Sequence, residues 1–106
     1  MERLEQLIQM YNEDPSDSFI RFALAKEYEK QGKLDKALKY YTELVKDHPE
    51  YTGTYYHLAK LYEQIEEFEK AKETYEKGIK MAEDEGDDLS SRELKEAYLI
   101  LQAEML

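Results

Sequence analysis

The chain repeats itself. Residues 18–51 laid over residues 52–85 place Leu24 on Leu58, Ala25 on Ala59, Lys26 on Lys60, Tyr28 on Tyr62, Glu29 on Glu63, Lys36 on Lys70, Ala37 on Ala71, Tyr41 on Tyr75 and Lys46 on Lys80. A 34-residue period is the signature of stacked supersecondary units, each too small to bury its apolar face alone. Within each copy the apolar residues fall at helical spacing twice over. The first copy has Leu24, Ala25 and Tyr28, then Leu34, Ala37, Leu38, Tyr41, Leu44 and Val45; the second has Leu58, Ala59 and Tyr62, then Phe68, Ala71, Tyr75 and Ile79. Each unit is therefore predicted to be two amphipathic helices. With 4 glycines and 2 prolines in 106 residues, little else in the chain interrupts helix.

The breaks agree with this reading. Gly32 sits where the first helix pair must turn, and Asp47, His48 and Pro49 sit where its second helix should stop. Glu66 stands where the second unit should have its glycine. That turn costs more if it needs a left-handed residue, and otherwise is a looser connection. Glu2 to Tyr11 carries Leu4, Leu7, Ile8 and Tyr11 at helical spacing before Asp14 and Pro15, like the second half of a preceding unit. After Gly86, Ser90 and Glu93 read as a capping box that opens a last helix reaching about Met105. Its core side is predicted as Leu94, Tyr98, Leu101 and Met105. The expected layout is one domain, 1–106, with a half-unit helix at 1–14, full units at 18–51 and 52–85, and a capping helix at 89–106. That makes about six helices, near the three-repeat minimum of a stable array.

Charge and composition exclude several functions. A formal net charge of −10, with every run of lysines diluted by acids, opposes a nucleic-acid backbone. No apolar stretch approaches a membrane span, and the first residues lack the apolar run of a signal peptide, so a cytoplasmic location is expected. Without cysteine there is no disulfide framework, thiolate metal site or Cys nucleophile. His48 and His57 lie on different predicted elements without ligand spacing, and no metal site is expected from them. In a calcium-loop register with Gly86 sixth, Met81 would stand first and Arg92 twelfth, so the acidic run 83–88 fails that pattern. No phosphate-binding glycine loop is present. The expectation is a protein without catalytic residues or cofactor, one that works by binding.

The residues resemble the tetratricopeptide repeat family. At the positions that its pattern fixes, the first unit supplies Arg21, Leu24, Ala25, Tyr28, Gly32, Ala37, Tyr41, Leu44 and Pro49, and departs at Arg21 and Leu44. The second supplies Tyr55, Leu58, Ala59, Tyr62, Glu66, Ala71, Tyr75, Gly78 and Glu83, and departs at Glu66 and Glu83. The resemblance implies an all-α fold, a right-handed α-α superhelix of antiparallel helix pairs. The small residues have a packing reason, since closely crossing helices need Ala or Gly at the contact. An Ala37→Leu change should overpack it by about 1–3 kcal/mol.

The resemblance also implies an adaptor or scaffold that holds a peptide or helix of another protein in a concave groove lined by the first helix of each unit. The groove positions carried over are Phe19, Phe22, Lys26, Glu29 and Lys30, then Gly53, Tyr56, Lys60, Glu63 and Gln64, and His57 on the same helix joins the candidate groove set. An aromatic one turn before a lysine, as in Phe22 with Lys26 and Tyr56 with Lys60, would suit an acidic, hydrophobic segment. Lys26 with Glu29 and Lys60 with Glu63 also have the spacing of surface ion pairs within a helix. The family's carboxylate clamp needs Lys and Asn where Phe22, Lys26 and His57 stand, so it is not expected here. On the last helix Leu99, Ile100, Ala103 and Leu106 form a second apolar stripe, away from the expected core. It marks a candidate surface for self-association, and a homo-oligomeric module with an empty groove is the alternative function.

Overall fold

The computed structural model describes residues 3–106, so Met1 and Glu2, both inside the expected first segment, lie outside the described residues. Among the described residues the fold is an all-α helical repeat of six helices: α1 Arg3–Glu13, α2 Ser18–Lys30, α3 Leu34–Asp47, α4 Gly53–Gln64, α5 Phe68–Asp84 and α6 Asp88–Glu104. They form two compact units, the first ending at His48 and the second starting at Pro49.

In the first unit α2 packs on both α1 and α3. Leu24, Ala25, Ala37, Tyr41 and Leu44 are fully buried, with Leu7 of α1 and Tyr28 of α2 nearly so. Ala37 lies at the α2–α3 contact because only a small side chain lets the backbones approach there. A tyrosine cluster extends this core: Tyr40 stacks flat on Tyr28 at 5.7 Å and meets Tyr11 edge-on at 5.4 Å. Such geometry adds about 0.5–1.5 kcal/mol per pair beyond area burial.

In the second unit α4 packs on α5, and α6 packs on both. Tyr55, Ala59, Leu61, Ala71, Tyr75 and Ala82 are fully buried. At Gly78, where the first unit has Leu44, α5 presses on its neighbours. A methyl group at residue 78 would lie 2.5 Å from Cβ of Tyr55 and 3.1 Å from Cδ1 of Leu94. The departure at Leu44 and the fit at Gly78 are thus two solutions to one packing problem, a filled space and a close approach.

Three helix ends share one geometry. After α2 the Gly32 N–H donates to the carbonyl of Glu29 and the Lys33 N–H to that of Tyr28. Glu66 and Glu67 repeat this toward Glu63 and Tyr62, and Gly86 and Asp87 toward Glu83 and Ala82. This is the Schellman ending, which places its central residue in the left-handed region. Gly32 has φ 77°, Gly86 φ 70° and Glu66 φ 63°. The turn at Glu66 is therefore not a looser connection. It is the same turn made by a residue that carries a Cβ into the left-handed region.

Helix starts also differ from the sequence expectation. α6 is capped not by Ser90 but by Asp87, whose carboxylate accepts the Ser90 N–H at 3.1 Å, one turn earlier than the capping box requires. Asp17 does the same for α2, accepting the Ile20 N–H at 2.9 Å. Aspartate meets the positive end of the helix with full charge, which a serine does not. The Asp87 carboxyl sits below the usual aspartate range because Thr52 Oγ1 and the Ser90 side chain and N–H donate to it. The core line of α6 is Ser91, Leu94, Ala97 and Leu101. Leu94 and Leu101 lie on it as expected, while Tyr98 is half-buried and Met105 exposed, because the buried line runs through Ser91 and Ala97 instead.

Candidate interaction clefts

Each unit carries an open cleft beside its groove-position residues. The first, about 500 Å³, is lined by Arg3 of α1 and by Ala23, Lys26, Glu27, Glu29 and Lys30 of α2. The second, also about 500 Å³, is lined by Tyr56, His57 and Lys60 of α4 and by Glu93, Glu96, Ala97 and Ile100 of α6.

The charges in the first cleft are partly committed. Glu29 Oε1 accepts the hydroxyl of buried Tyr41 at 2.8 Å. Glu27 pairs with Arg3 at 3.2 Å. Burial and then the Glu29 carboxylate push the Tyr41 hydroxyl well above the ordinary tyrosine value, so it stays a donor. Among the described residues Lys26 and Lys30 make no ion pair and no side-chain hydrogen bond, and both are exposed. The charge left over in this cleft is positive.

The second cleft reverses that balance. Glu63, beside it on α4, accepts the hydroxyl of buried Tyr75 at 2.5 Å and lies 4.0 Å from Lys60 Nζ. Tyr75, like Tyr41, is raised by burial and then by its glutamate. Glu93 and Glu96 are exposed and, among the described residues, make no ion pair and no side-chain hydrogen bond. Tyr56 meets His57 edge-on at 5.7 Å, and Ile100 is 53% exposed.

Of the sequence-derived groove residues, the structure brings Lys26, Glu29 and Lys30 to one cleft and Tyr56, His57 and Lys60 to the other. Glu63 lines a neighbouring hollow with Phe68, Leu101, Glu104 and Met105. Phe22 is half-buried with its ring against Tyr41 at 6.1 Å, Phe19 is exposed, and Gln64 is exposed at the end of α4. None of these three lines either cleft. Glu29 and Glu63 have a structural task that spacing alone does not reveal, satisfying buried tyrosine hydroxyls from the paired helix.

Sequence reasoning missed Arg3, Glu27, Glu93 and Glu96. The signal for the last two lay in α6, where Leu94, Ala97 and Leu101 mark a core line and Glu93, Glu96 and Ile100 run alongside it. Of the apolar stripe, Ile100 faces the cleft, while Leu99 is 67% exposed and Ala103 and Leu106 are exposed. His48 caps α3, with Nε2 2.9 Å from the Ser16 carbonyl. Among the described residues no group of three or more His, Asp or Glu is placed to hold a metal ion, and no helix is long and apolar enough to cross a membrane.

A family model, Tetratricopeptide repeat, matches residues 28–92. No curated protein matches the chain. A tetratricopeptide repeat domain protein from Salinibacter ruber, solved in solution, is 43% identical, with 85% of this chain and 91% of that one covered and a TM-score of 0.82. A protein from Bordetella parapertussis is similar in fold at 24% identity and TM-score 0.84, covering 98% of this chain and 90% of that one. So is the TPR2B domain of yeast Sti1, solved as a complex with pHsp70, at 17% identity and TM-score 0.87, covering 95% of this chain and 81% of that one. The 34-residue repeat, the shared helix endings and these matches converge: the chain belongs to the tetratricopeptide repeat family.

Proposed function

We propose that this protein is an adaptor that binds a peptide or helix of another protein through the clefts beside α2 and α4. The observation that carries the reading is the second cleft, where Tyr56, His57 and Lys60 of α4 meet Ile100 of α6 across an open hollow. A half-exposed ring next to an exposed isoleucine offers apolar area for burial, and the surrounding charges supply orientation. In the first unit, Lys26 and Lys30 suit a carboxylate of an acidic, hydrophobic segment. The yeast domain of similar fold was solved with pHsp70, in keeping with a protein ligand. Affinity selection from a displayed random peptide library tests the proposal. Enriched peptides should lose binding to Tyr56→Ala/Lys60→Ala or to Lys26→Ala/Lys30→Ala. No enrichment, or binding by both variants that is as tight as the wild type's, would contradict it.

A second reading is self-association through the exposed stripe of Leu99, Ala103 and Leu106, favoured by the 67% exposure of Leu99 on an outward face of α6. Light scattering of the wild type beside Leu99→Glu decides it, and identical monomer masses would sink it.

A further inference from the structure

We infer that the cleft between α4 and α6 selects a basic, apolar segment of its partner, an arginine or lysine followed by a large apolar residue. This rests on the proposed binding role and reverses the acidic preference that Tyr56 and Lys60 alone imply. The reason lies in which charges are already satisfied. Lys60 Nζ is 4.0 Å from Glu63, so the cation of this cleft has a carboxylate beside it. Glu93 and Glu96 have no such partner among the described residues. They stand one helical turn apart on the line of α6 that continues to Ile100.

A guanidinium entering here would meet a carboxylate in its preferred forked geometry, with its stem against the Tyr56 ring. The next apolar side chain of the partner would rest on Ile100, 53% exposed. A carboxylate in the same place would face two unpaired acids, which costs affinity and disfavours the wrong partner. The net charge of −10 adds a long-range field that steers cations toward the protein, though it does not aim them at this cleft.

The test uses two labelled peptides, acetylated and amidated, one alternating arginine with leucine and the other glutamate with leucine, followed by fluorescence anisotropy. In Lys26→Ala/Lys30→Ala, which removes the free cations of the first cleft, the arginine peptide should bind more tightly than the glutamate peptide. Glu93→Gln/Glu96→Gln should weaken it by about tenfold. Glu69→Gln/Glu73→Gln, which removes the same charge from exposed positions on α5, should change it little. Equal weakening by both pairs would reduce the effect to net charge and overturn the inference. Tighter binding of the glutamate peptide by that lysine variant would overturn the basic preference while leaving the adaptor role standing. Binding of neither peptide would overturn both. A dimer that Ile100→Glu dissolves would assign the cleft to a second copy of the chain instead.

Discussion

Lys26 and Lys60 are the same residue of the repeat, one turn after an aromatic and three residues before a glutamate that holds a buried tyrosine. Their clefts nevertheless carry opposite leftover charge. Beside Lys26 stand Arg3 from α1 and Lys30, whereas beside Lys60 stand Glu93 and Glu96 from α6. The repeated letters fix the packing, and the leftover charge comes from residues that the repeat does not share: Lys30 on α2, where α4 has Gln64, and Glu93 with Glu96 on α6. In a stacked repeat a terminal helix with a polar outer face keeps the stack soluble. Here α6 also brings two unpaired carboxylates to the second cleft, while the Arg3 that α1 brings to the first is paired with Glu27.

The sharpest break in the comparison between the two units is at Leu44 and Gly78. Leu44→Ala should cost about 2–5 kcal/mol through the cavity it leaves. Gly78→Ala forces a methyl against Tyr55 and should cost about 1–3 kcal/mol, despite a helix propensity gain of about 1 kcal/mol. Urea unfolding of both variants measures this. A stabilising Gly78→Ala would mean that α5 can move off Tyr55.

Smaller in effect are the turns. Glu66→Gly should stabilise by about 1 kcal/mol, because a Cβ at φ 63° carries a penalty that glycine escapes. Gly32→Ala should lose a similar amount, although its Cβ would meet nothing within 4 Å. Thermal unfolding should move the two melting points in opposite directions.

The smallest contrast concerns a proline carbonyl. Arg21 Nε donates to the Pro15 carbonyl at 2.6 Å, and in the second unit the Tyr55 hydroxyl donates to that of Pro49 at the same distance. Arginine fills a tyrosine's position there because it makes the same hydrogen bond, and its NH1 pairs with Asp47 at 2.6 Å. That pair holds the Asp47 carboxyl below its usual range, chiefly through the Arg21 hydrogen bond. A depressed folded value means the contribution is present above the unfolded aspartate value, about 3.9. It is lost as pH falls through the folded value. In denaturation midpoints taken from neutral to acid, Asp47→Asn should flatten the acid limb. An unchanged limb would show that the pair contributes nothing to stability.

Much of the fold was legible because it is written in periodicity. The helix pairs, the turn at Gly32 and the small residues Ala37 and Ala71 all follow from spacing and size. Asp87 was hidden because a good capping-box match at Ser90 lay three residues on, and the stronger cap is decided by charge. The roles of Glu29 and Glu63 were hidden because their partners, Tyr41 and Tyr75, are on the next helix. The clefts were half legible: the repeat supplied α2 and α4, but Arg3, Glu93 and Glu96 come from helices that have no second copy to be aligned with.

Chemical-shift mapping of the ¹⁵N-labelled chain with the arginine–leucine and glutamate–leucine peptides tests the contrast between the clefts most directly. The arginine peptide should shift the amides of Tyr56, Glu93, Glu96 and Ile100, and the glutamate peptide those of Ala23, Lys26 and Lys30. Both peptides shifting one common set of residues would contradict the claim that the two clefts differ in chemistry.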